Sequence, residues 1–474
     1  MQILPSGGQP ASGLALAPFR GLRYAQDRVS GLAEVTSPPY DVIAHEAEDH
    51  LLASDPHNVV RLILPRHGAG NPGAAHTGAV PAGAAARGGG PGGRATGAEG
   101  PAQTGTAYDD AARLLCDWQD QGILVADPEP ALYVYEQSLP AGPVLQRGLI
   151  GALRLAPLGA GPVLPHEDVI PGPVTGRRQL MEATGANLEP IFLLYDGPDE
   201  PGGPSPGATT RLTTEVATQR EPLLSVDTDD SIRHRLWAVT DPAEQAAIAA
   251  DLASRQALIA DGHHRYAAYL QLQARKRTAG AGPGPWDAGL AMLVDSAAFP
   301  PHIGAIHRVI SGLAPATAAQ LAKQAFTVQA FPGLTPAEAL DTLREASTGH
   351  MAFIIAGDGE YYLLTGPDPQ AVEEAMPDRS ARWRGLSAAV MQELLLGKLW
   401  GIRDDEERVE IHHDALTALR AASAPPGATA VICPPLSTED VREVAAHGER
   451  VPRKSTSFAP KPRTGLVLRS FALG

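Results

Sequence analysis

Cysteine, aromatic residues and long apolar runs are all scarce in this chain of 474 residues. Cys116 and Cys433 are its only cysteines, so neither a disulfide framework nor a thiolate zinc site is expected. No apolar run approaches the ~18 residues that a membrane span needs, and the N-terminus lacks the charged and apolar regions of a signal peptide. We therefore expect a soluble, cytoplasmic protein that does not bind membranes.

Positive charge is also in deficit. Lys and Arg number 38 against 53 Asp and Glu, which gives a formal net charge of -15. Proteins that bind nucleic acid in general normally carry a basic face, so this balance argues against such a partner. Local basic pockets for small anions stay open, and a small-molecule substrate is the expected partner.

Glycine and proline, by contrast, are abundant, with 50 and 44 residues. Many lie in the segment 67–106, which contains no Leu, Ile or aromatic residue. Such a segment cannot bury enough apolar surface to offset the entropy lost on ordering. We predict that 67–106 is a disordered insertion, that 1–66 and 107–310 form a core, and that 311–474 form a second α/β region.

Helical and strand patterns alternate over the remaining sequence, which predicts a mixed α/β fold. Strands are expected at 59–64, 131–137 and 148–155, and a helix at 107–121. A second helix is expected from Pro242, with Asp241 as its N-cap.

The most informative segment is the polar run that follows residue 260. An apolar stretch, 257–260, precedes it and a stretch with helical spacing, 267–272, follows it, so the order strand, glycine turn, helix is predicted. Such a turn directs backbone N–H groups and the positive end of a helix to one place, which suits an anion. Asp261 could also hold a metal or orient a histidine, but adjacent histidines normally diverge, so we favour phosphate over metal. The residues expected to contact it are Asp261, Gly262, His263, His264 and Arg265.

Several other segments carry side chains of similar chemistry. Glu167 beside His166 could act as a general base or a metal ligand, and Asp41 follows two prolines in an extended segment. The C-terminal segment 451–466 is rich in basic and hydroxyl groups that could wrap a polyphosphate. The segment 412–414 is expected to be a surface turn. The further anion contacts predicted are His307, Arg308, Lys454, Ser455, Thr456 and Lys461.

These motifs together resemble those of a known family. They are Ser37–Ile43, His57–Asn58, His166–Glu167, Asp261–Tyr266, His307–Arg308 and Lys454–Leu466. In order, and over nearly the whole chain, they are similar to the bacterial and archaeal domain-of-unknown-function 1015 family, whose activity is not established. The chain departs from that family's pattern at Gly176, where an acidic residue is frequent, and at Val451, where Met is usual.

A second, more distant resemblance suggests what the site binds. Asp261–Arg265 looks like the phosphate-binding motif of the ParB/sulfiredoxin superfamily, which includes ADP- or ATP-dependent free-serine kinases. The resemblance implies a ParB/sulfiredoxin-like nucleotide-binding core elaborated by a further α/β layer. It also implies a nucleotide (ADP or ATP) and Mg²⁺ as cofactors, with His264 and Arg265 on the phosphates. The kinases use a Glu as general base, and we assign that role to Glu167, with Asp41 and His166 as further catalytic candidates.

The hypothesis that follows is a phosphate- or nucleotide-binding enzyme that transfers a phosphoryl group to a small hydroxyl metabolite such as serine. One alternative is a non-catalytic, nucleotide-binding regulatory protein, although the basic helix-turn-helix of a DNA-clamp switch is not evident. Another is a phosphatase or nucleotide hydrolase built from the same parts. The mechanism requires that segments around residues 166, 261 and 461 meet in space.

Overall fold

A computed structural model of the chain describes residues 13–43, 45–66, 106–159, 161–197, 205–403, 407–423 and 426–474. The predicted insertion therefore lies outside the described residues, apart from Thr106. Its hydroxyl accepts a hydrogen bond from the Asp109 backbone N–H and caps the helix that follows. No helix in these ranges has the length and apolar character needed to cross a membrane.

Most of the strands in the described residues are short. They are β1 (Leu16–Ala17), β2 (Gly21–Tyr24), β3 (Leu124–Ala126), β4 (Leu132–Ser138), β5 (Val144–Arg154), β6 (Val163–Leu164), β7 (Ala186–Asn187), β8 (Ile191–Tyr195), β9 (Leu224–Asp227), β10 (Arg233–Val239), β11 (Ala257–Asp261), β12 (Ala288–Asp295), β13 (His302–Gly304), β14 (His307–Ile310), β15 (Thr327–Ala330), β16 (Ala352–Gly357), β17 (Glu360–Thr365), β18 (Val409–His412), β19 (Thr429–Ile432), β20 (Ser457–Ala459) and β21 (Leu468–Ser470).

Helices separate most of these strands. They are α1 (Leu32–Val35), α2 (His45–Ser54), α3 (Val60–Ile63), α4 (Ala107–Asp120), α5 (Pro171–Thr184), α6 (Ala208–Gln219), α7 (Pro242–Leu252), α8 (His263–Thr278), α9 (Pro315–Ala322), α10 (Pro336–Ala346), α11 (Pro369–Ala375), α12 (Ala381–Arg384), α13 (Ser387–Ala389), α14 (Ala415–Ser423) and α15 (Thr438–Ala446). A π-helix spans Val390–Leu399, and 3₁₀ turns span Tyr40–Val42, Pro285–Asp287 and Phe471–Leu473.

A nine-stranded sheet carries the candidate site. Its order is β6-β11-β8-β12-β5-β4-β10-β9, with β1 also paired to β5. Strands β8 and β12 run parallel, whereas most of the other pairs are antiparallel. Every residue of β4, β8, β11 and β12 is buried. Alternate residues of these strands enter two separate apolar clusters, so both faces of the sheet are covered.

The other sheets bring distant segments of the chain together. A six-stranded sheet has the order β15-β17-β16-β19-β14-β18, and its strands all lie between residues 307 and 432. A four-stranded sheet has the order β3-β2-β21-β7, so a strand near the C-terminus lies between strands of the predicted core. Strand β20 pairs with β13. The domain boundaries given above stay a prediction.

The mixed α/β class is confirmed, and one predicted strand is wrong. Strands predicted at 131–137 and 148–155 pair as β4 and β5, α4 covers the predicted helix, and Asp241 caps α7. The apolar run 59–64 instead forms α3, whose start is fixed because the Asn58 side-chain oxygen accepts from the Val60 N–H at 2.9 Å. A short apolar run has no periodicity that separates a buried strand from a buried helical turn.

A test of the core packing uses Gly289 on β12. A Cβ atom there would lie 2.2 Å from Cδ2 of Tyr269, whose hydroxyl donates to the Leu290 carbonyl at 3.2 Å and so holds the ring in place. We expect Gly289→Ala to lower the free energy of unfolding by about 1–3 kcal/mol in urea denaturation. Gly304→Ala is the control, because the nearest contact of its Cβ would be 3.5 Å, and a change within about 0.5 kcal/mol is expected. Equal losses in both variants would contradict this account.

Candidate functional site

The predicted strand, glycine turn and helix form next to β6, the edge strand of the nine-stranded sheet. Strand β11 ends at Asp261, Gly262 has φ +94°, and α8 begins at His263. A Cβ at Gly262 would be strained in this left-handed conformation and would lie 2.9 Å from Cγ2 of Ile191. The register of β11 against β8 shifts between Ile259 and Asp261. Such an irregularity redirects side chains, and it places Asp261 at the helix start.

A chain of ion pairs joins this turn to two distant segments. The Nζ atom of Lys461 donates to Oδ2 of Asp41 at 2.7 Å and also to Oδ1 of Asp261. Nη2 of Arg265 donates to Oδ2 of Asp261 at 2.6 Å, and its Nη1 donates to the Pro190 carbonyl at 2.7 Å. Arg265 is 2% exposed, so it lies behind Asp261 and fixes that carboxylate. Segments 41, 261 and 461 therefore meet at one place.

The two carboxyl groups that share Lys461 differ in proton affinity. Burial and the nearby Asp41 carboxylate raise the pKa of Asp261, although Lys461 and Arg265 oppose them. Desolvation acts in the same direction on Asp41, but Lys461 and Arg265 outweigh it and lower the pKa of Asp41. Asp41, which faces the surface, therefore loses its proton at a lower pH than Asp261 does.

The adjacent histidines both hold the loop that carries Glu167. Nε2 of His263 accepts from the backbone N–H groups of His166 at 3.2 Å and Glu167 at 3.4 Å. Nε2 of His264 accepts from the Ile170 N–H at 3.1 Å. Burial lowers the pKa of both rings, most strongly that of His263. Each ring is therefore neutral at pH 7 and can donate only through Nδ1.

Glu167, His166 and Thr456 form a small hydrogen-bonded group beside this turn. The Thr456 hydroxyl lies 2.9 Å from Nε2 of His166 and 3.5 Å from Oε1 of Glu167. Burial lowers the pKa of His166 to about 4. Burial also raises the pKa of Glu167 to about 7, with a smaller contribution from Asp261, while the Ser455 amide, the Thr456 hydroxyl and Lys461 oppose the shift. Glu167 can therefore exchange a proton near neutral pH.

The structure places the remaining predicted contacts around the C-terminal segment. Arg308 is 1% exposed, and its Nη2 donates to the Lys454 carbonyl at 3.1 Å. Nδ1 of His307 accepts from the Cys433 N–H at 3.3 Å, and the Ser455 hydroxyl donates to the Pro452 carbonyl at 2.6 Å. Arg308 and Ser455 thus support the C-terminal segment, His307 contacts the residue after β19, and the side chain of Lys454 is exposed. Their contact with an anion stays a prediction.

The residues that hold the turn containing Asp41 are not apparent from the sequence. The guanidinium of Arg177 lies 4.0 Å from the ring centre of Tyr40, and the Tyr40 N–H donates to Oε1 of Glu189 at 3.1 Å. These residues are 137 to 149 positions from Tyr40 along the chain, so no local pattern connects them. His413, expected in a surface turn, is also close enough for Lys461 and Asp41 to affect its pKa, which burial lowers.

The donor set does not favour a divalent metal. Within the described ranges, no group of three or more His, Cys, Asp or Glu residues is arranged to hold a metal ion. Asp41 and Asp261 share the Lys461 ammonium, which already lies between the two carboxylates. Lys461 therefore neutralises the charge that a divalent cation would otherwise neutralise.

The raised pKa of Glu167 has a consequence for stability. A carboxyl whose pKa is higher in the folded state contributes its full stability below the unfolded value of 4.5 and loses it as the pH rises through about 7. Glu167→Gln retains the shape but cannot ionise. We expect this variant to gain more than about 1 kcal/mol of unfolding free energy over the wild type between about pH 5 and about pH 8. The exposed Glu129→Gln serves as the control, and a constant difference for Glu167→Gln would rule out a buried, perturbed carboxyl.

Comparison with known proteins identifies the family. No functionally curated protein matches the sequence significantly. Solved structures with similarity to the chain include a free serine kinase in complex with AMP, at 15% identity and a TM-score of 0.33, covering 66% of this chain and 90% of that one. Another is SbnI from Staphylococcus aureus with a C-terminal truncation, at 12% identity and a TM-score of 0.32, covering 66% and 84%. A third is a conserved hypothetical protein from Pyrococcus furiosus, at 14% identity and a TM-score of 0.32, covering 66% and 94%. These TM-scores are too low to carry an argument about activity.

The family model described as "Protein of unknown function (DUF1015)" matches residues 16–86 and 94–389, so this chain belongs to the DUF1015 family.

Proposed function

We propose that this protein binds a nucleotide and transfers a phosphoryl group from it to a small hydroxyl metabolite such as serine. One observation carries the proposal. Asp41, Glu167, Asp261 and Lys461 come from four distant parts of the sequence, and they converge where helix α8 begins. The site combines a cation, a helix N-terminus and a carboxyl group that titrates near neutral pH, which are the parts that phosphoryl transfer requires.

Phosphate binding rests on Lys461 and the first turn of α8. This helix has 16 residues, and among the described residues no side chain caps its N-terminus. Its first backbone N–H groups and its dipole therefore favour an anion. Lys461 provides a charged donor within reach of the same turn, since it already contacts Asp261. A phosphate group would replace one of its carboxylate partners, and exposed Asp41 is the easier one to displace.

Proton transfer is the proposed role of Glu167. The acceptor hydroxyl oxygen forms a bond to the terminal phosphorus while the bond to the bridging phosphate oxygen breaks. Glu167 takes the hydroxyl proton, and the nucleotide leaves with one phosphate fewer. A pKa of about 7 suits this role, because a base is most effective when its pKa lies near the working pH.

The nucleotide is proposed to be ADP or ATP, on the resemblance of the Asp261–Arg265 motif. The resemblance also implies Mg²⁺, which would stabilise phosphate charge when bound. Lys461 already lies between Asp41 and Asp261 and neutralises their charge. Lys461, the α8 N-terminus and Glu167 carry the proposed chemistry.

The binding step is tested by calorimetry with ADP, ATP and CTP. We expect the wild type to bind ADP or ATP, and Lys461→Met to bind about ten- to a hundredfold more weakly, because one charged hydrogen bond is lost. Lys323→Met is the matched control, since Lys323 is exposed and donates to Gln320 on α9. Lys461→Arg retains the charge and shows whether a loss reflects binding rather than folding. Absence of nucleotide binding by the wild type would refute the proposal.

The chemical step is tested by following nucleotide and serine with ³¹P NMR. We expect phosphoserine or another phosphorylated hydroxyl product, with kcat/KM rising with pH through about 7, and a decrease of about 10²–10⁴-fold in Glu167→Gln. Release of inorganic phosphate alone would indicate a hydrolase. Binding without turnover would indicate a regulatory protein. Full activity of Glu167→Gln would refute the assignment of the base.

A further inference from the structure

We infer that Gln137 and Gln146 are positioning residues: their two buried side-chain amides place the main chain at Lys461 so that its ammonium group reaches both Asp41 and Asp261. The hydrogen bonds of this pair stand on the geometry alone. Their role in phosphate binding rests on the proposed function, in which Lys461 is a phosphate ligand. The glutamines lie on β4 and β5, and Gln137 precedes Lys461 by 324 residues.

The two glutamines are buried in the nine-stranded sheet. Gln137 is 1% exposed and Gln146 is 2% exposed, and they lie directly opposite each other in the pairing of β4 with β5. Glutamine is rarely buried, because its amide loses contact with water and must find partners inside the protein. Nε2 of Gln146 donates to Oε1 of Gln137 and also, at 2.7 Å, to the Pro460 carbonyl. Nε2 of Gln137 in turn donates to the Lys461 carbonyl at 3.0 Å. The pair therefore holds two successive carbonyl groups of the C-terminal segment.

The direction of these hydrogen bonds is fixed by the two carbonyl groups. A main-chain carbonyl can only accept, so Pro460 and Lys461 each require an N–H group from a glutamine. Turning over either amide would place its oxygen against a carbonyl oxygen. Only one orientation of each amide therefore fits the segment, and Gln146 holds Gln137 in that orientation by donating to its oxygen.

The C-terminal segment needs side-chain partners here because its own backbone lacks donors. Strand β20 ends at Ala459, and Pro460 and Pro462 have no N–H group to donate to a neighbouring strand. Tyr135, also on β4, supports the next part of the segment, since its hydroxyl oxygen accepts from the Arg463 N–H at 3.1 Å. Side chains of β4 and β5 thus provide the partners that a backbone ladder would otherwise provide.

The position of the Lys461 main chain decides which groups its side chain can reach. A lysine ammonium lies on a flexible stem of four carbons, so the points at which the residue is held determine its place. Lys461 is held at its carbonyl by Gln137 and at its ammonium by Asp41, at 2.7 Å, and by Asp261. Release of the carbonyl would let the segment move, and the ammonium would then keep the partner that can follow it. Because Asp41 lies on an exposed turn and Asp261 is buried, we expect the contact with Asp261 to weaken.

The inference is tested by ¹³C NMR titration of the ligand-free full chain labelled on aspartate side chains, with the Asp261 signal assigned by its loss in Asp261→Asn. Burial and the Asp41 carboxylate raise the pKa of Asp261, whereas Lys461 and Arg265 lower it. Gln146→Leu removes the amide at similar volume, so the effect of Lys461 on Asp261 should decrease. We expect the pKa of Asp261 to rise by about half a pH unit or more, a part of what a nearby cation contributes.

Two further variants separate positioning from a general effect on folding. Gln137→Leu removes the donor to the Lys461 carbonyl and should also raise the pKa of Asp261, which keeps the test available where Gln146→Leu does not fold. Gln273→Leu is the matched control. Gln273 is a buried glutamine whose Nε2 donates to Oδ1 of Asp287 at 2.8 Å, and it lies about 15 Å along α8 from the start of that helix. Its loss should leave the pKa of Asp261 unchanged.

The decisive measurement combines Gln146→Leu with Lys461→Met. If the glutamine acts through Lys461, the pKa of Asp261 in Lys461→Met should not change further when Gln146→Leu is added. An unchanged or lower pKa in Gln146→Leu alone, or an equal further rise in the combined variant, would overturn the inference. The titration needs no nucleotide, so the inference can hold where nucleotide binding fails. Where nucleotide binds, Gln146→Leu should weaken binding by about three- to tenfold, and by less than Lys461→Met does.

Discussion

The bridge that Lys461 forms between Asp41 and Asp261 is the interaction on which the candidate site depends. It joins a 3₁₀ turn near the N-terminus, the end of β11 and a segment near the C-terminus. Without the ammonium group of Lys461, the two carboxylates would face each other, and the buried Arg265 would be left to balance their charge. Removing one member of a partly buried ionic group leaves the others uncompensated, so the cluster is specified as a unit.

Several polar groups at the site are held in arrangements that cost folding free energy. Glu167 is held where ionisation is disfavoured, three histidines are kept neutral, and Nε of Arg265 has no partner among the described residues. The surrounding sheet, apolar on both faces, compensates for these costs. A stable apolar core beside polar groups with shifted pKa values is typical of functional sites.

Sequence patterns predicted the class of the fold and the glycine turn at Gly262, because each depends on local spacing. They named Asp41, Glu167 and Lys461 as candidates but left open whether these residues meet in space. They did not predict the partners of those residues. Arg265 is directed to Asp261 and Pro190 and not to an open pocket, and His263 accepts hydrogen bonds from a loop about a hundred residues away. Contacts of this kind are set by sheet order and register, which no single segment encodes. The prediction of a strand at 59–64 was wrong because a short buried apolar run is compatible with a strand or a helix.

The position of β21 between β2 and β7 has a consequence for biosynthesis. Strand β2 gains its central neighbour only when residues 468–470 have left the ribosome, and Lys461 follows Asp41 by 420 residues. The nine-stranded sheet needs residues up to 295 only, so it can form during translation. The cluster of Asp41, Asp261 and Lys461 therefore assembles last, after the framework that holds it, and a nascent chain lacks the complete candidate site.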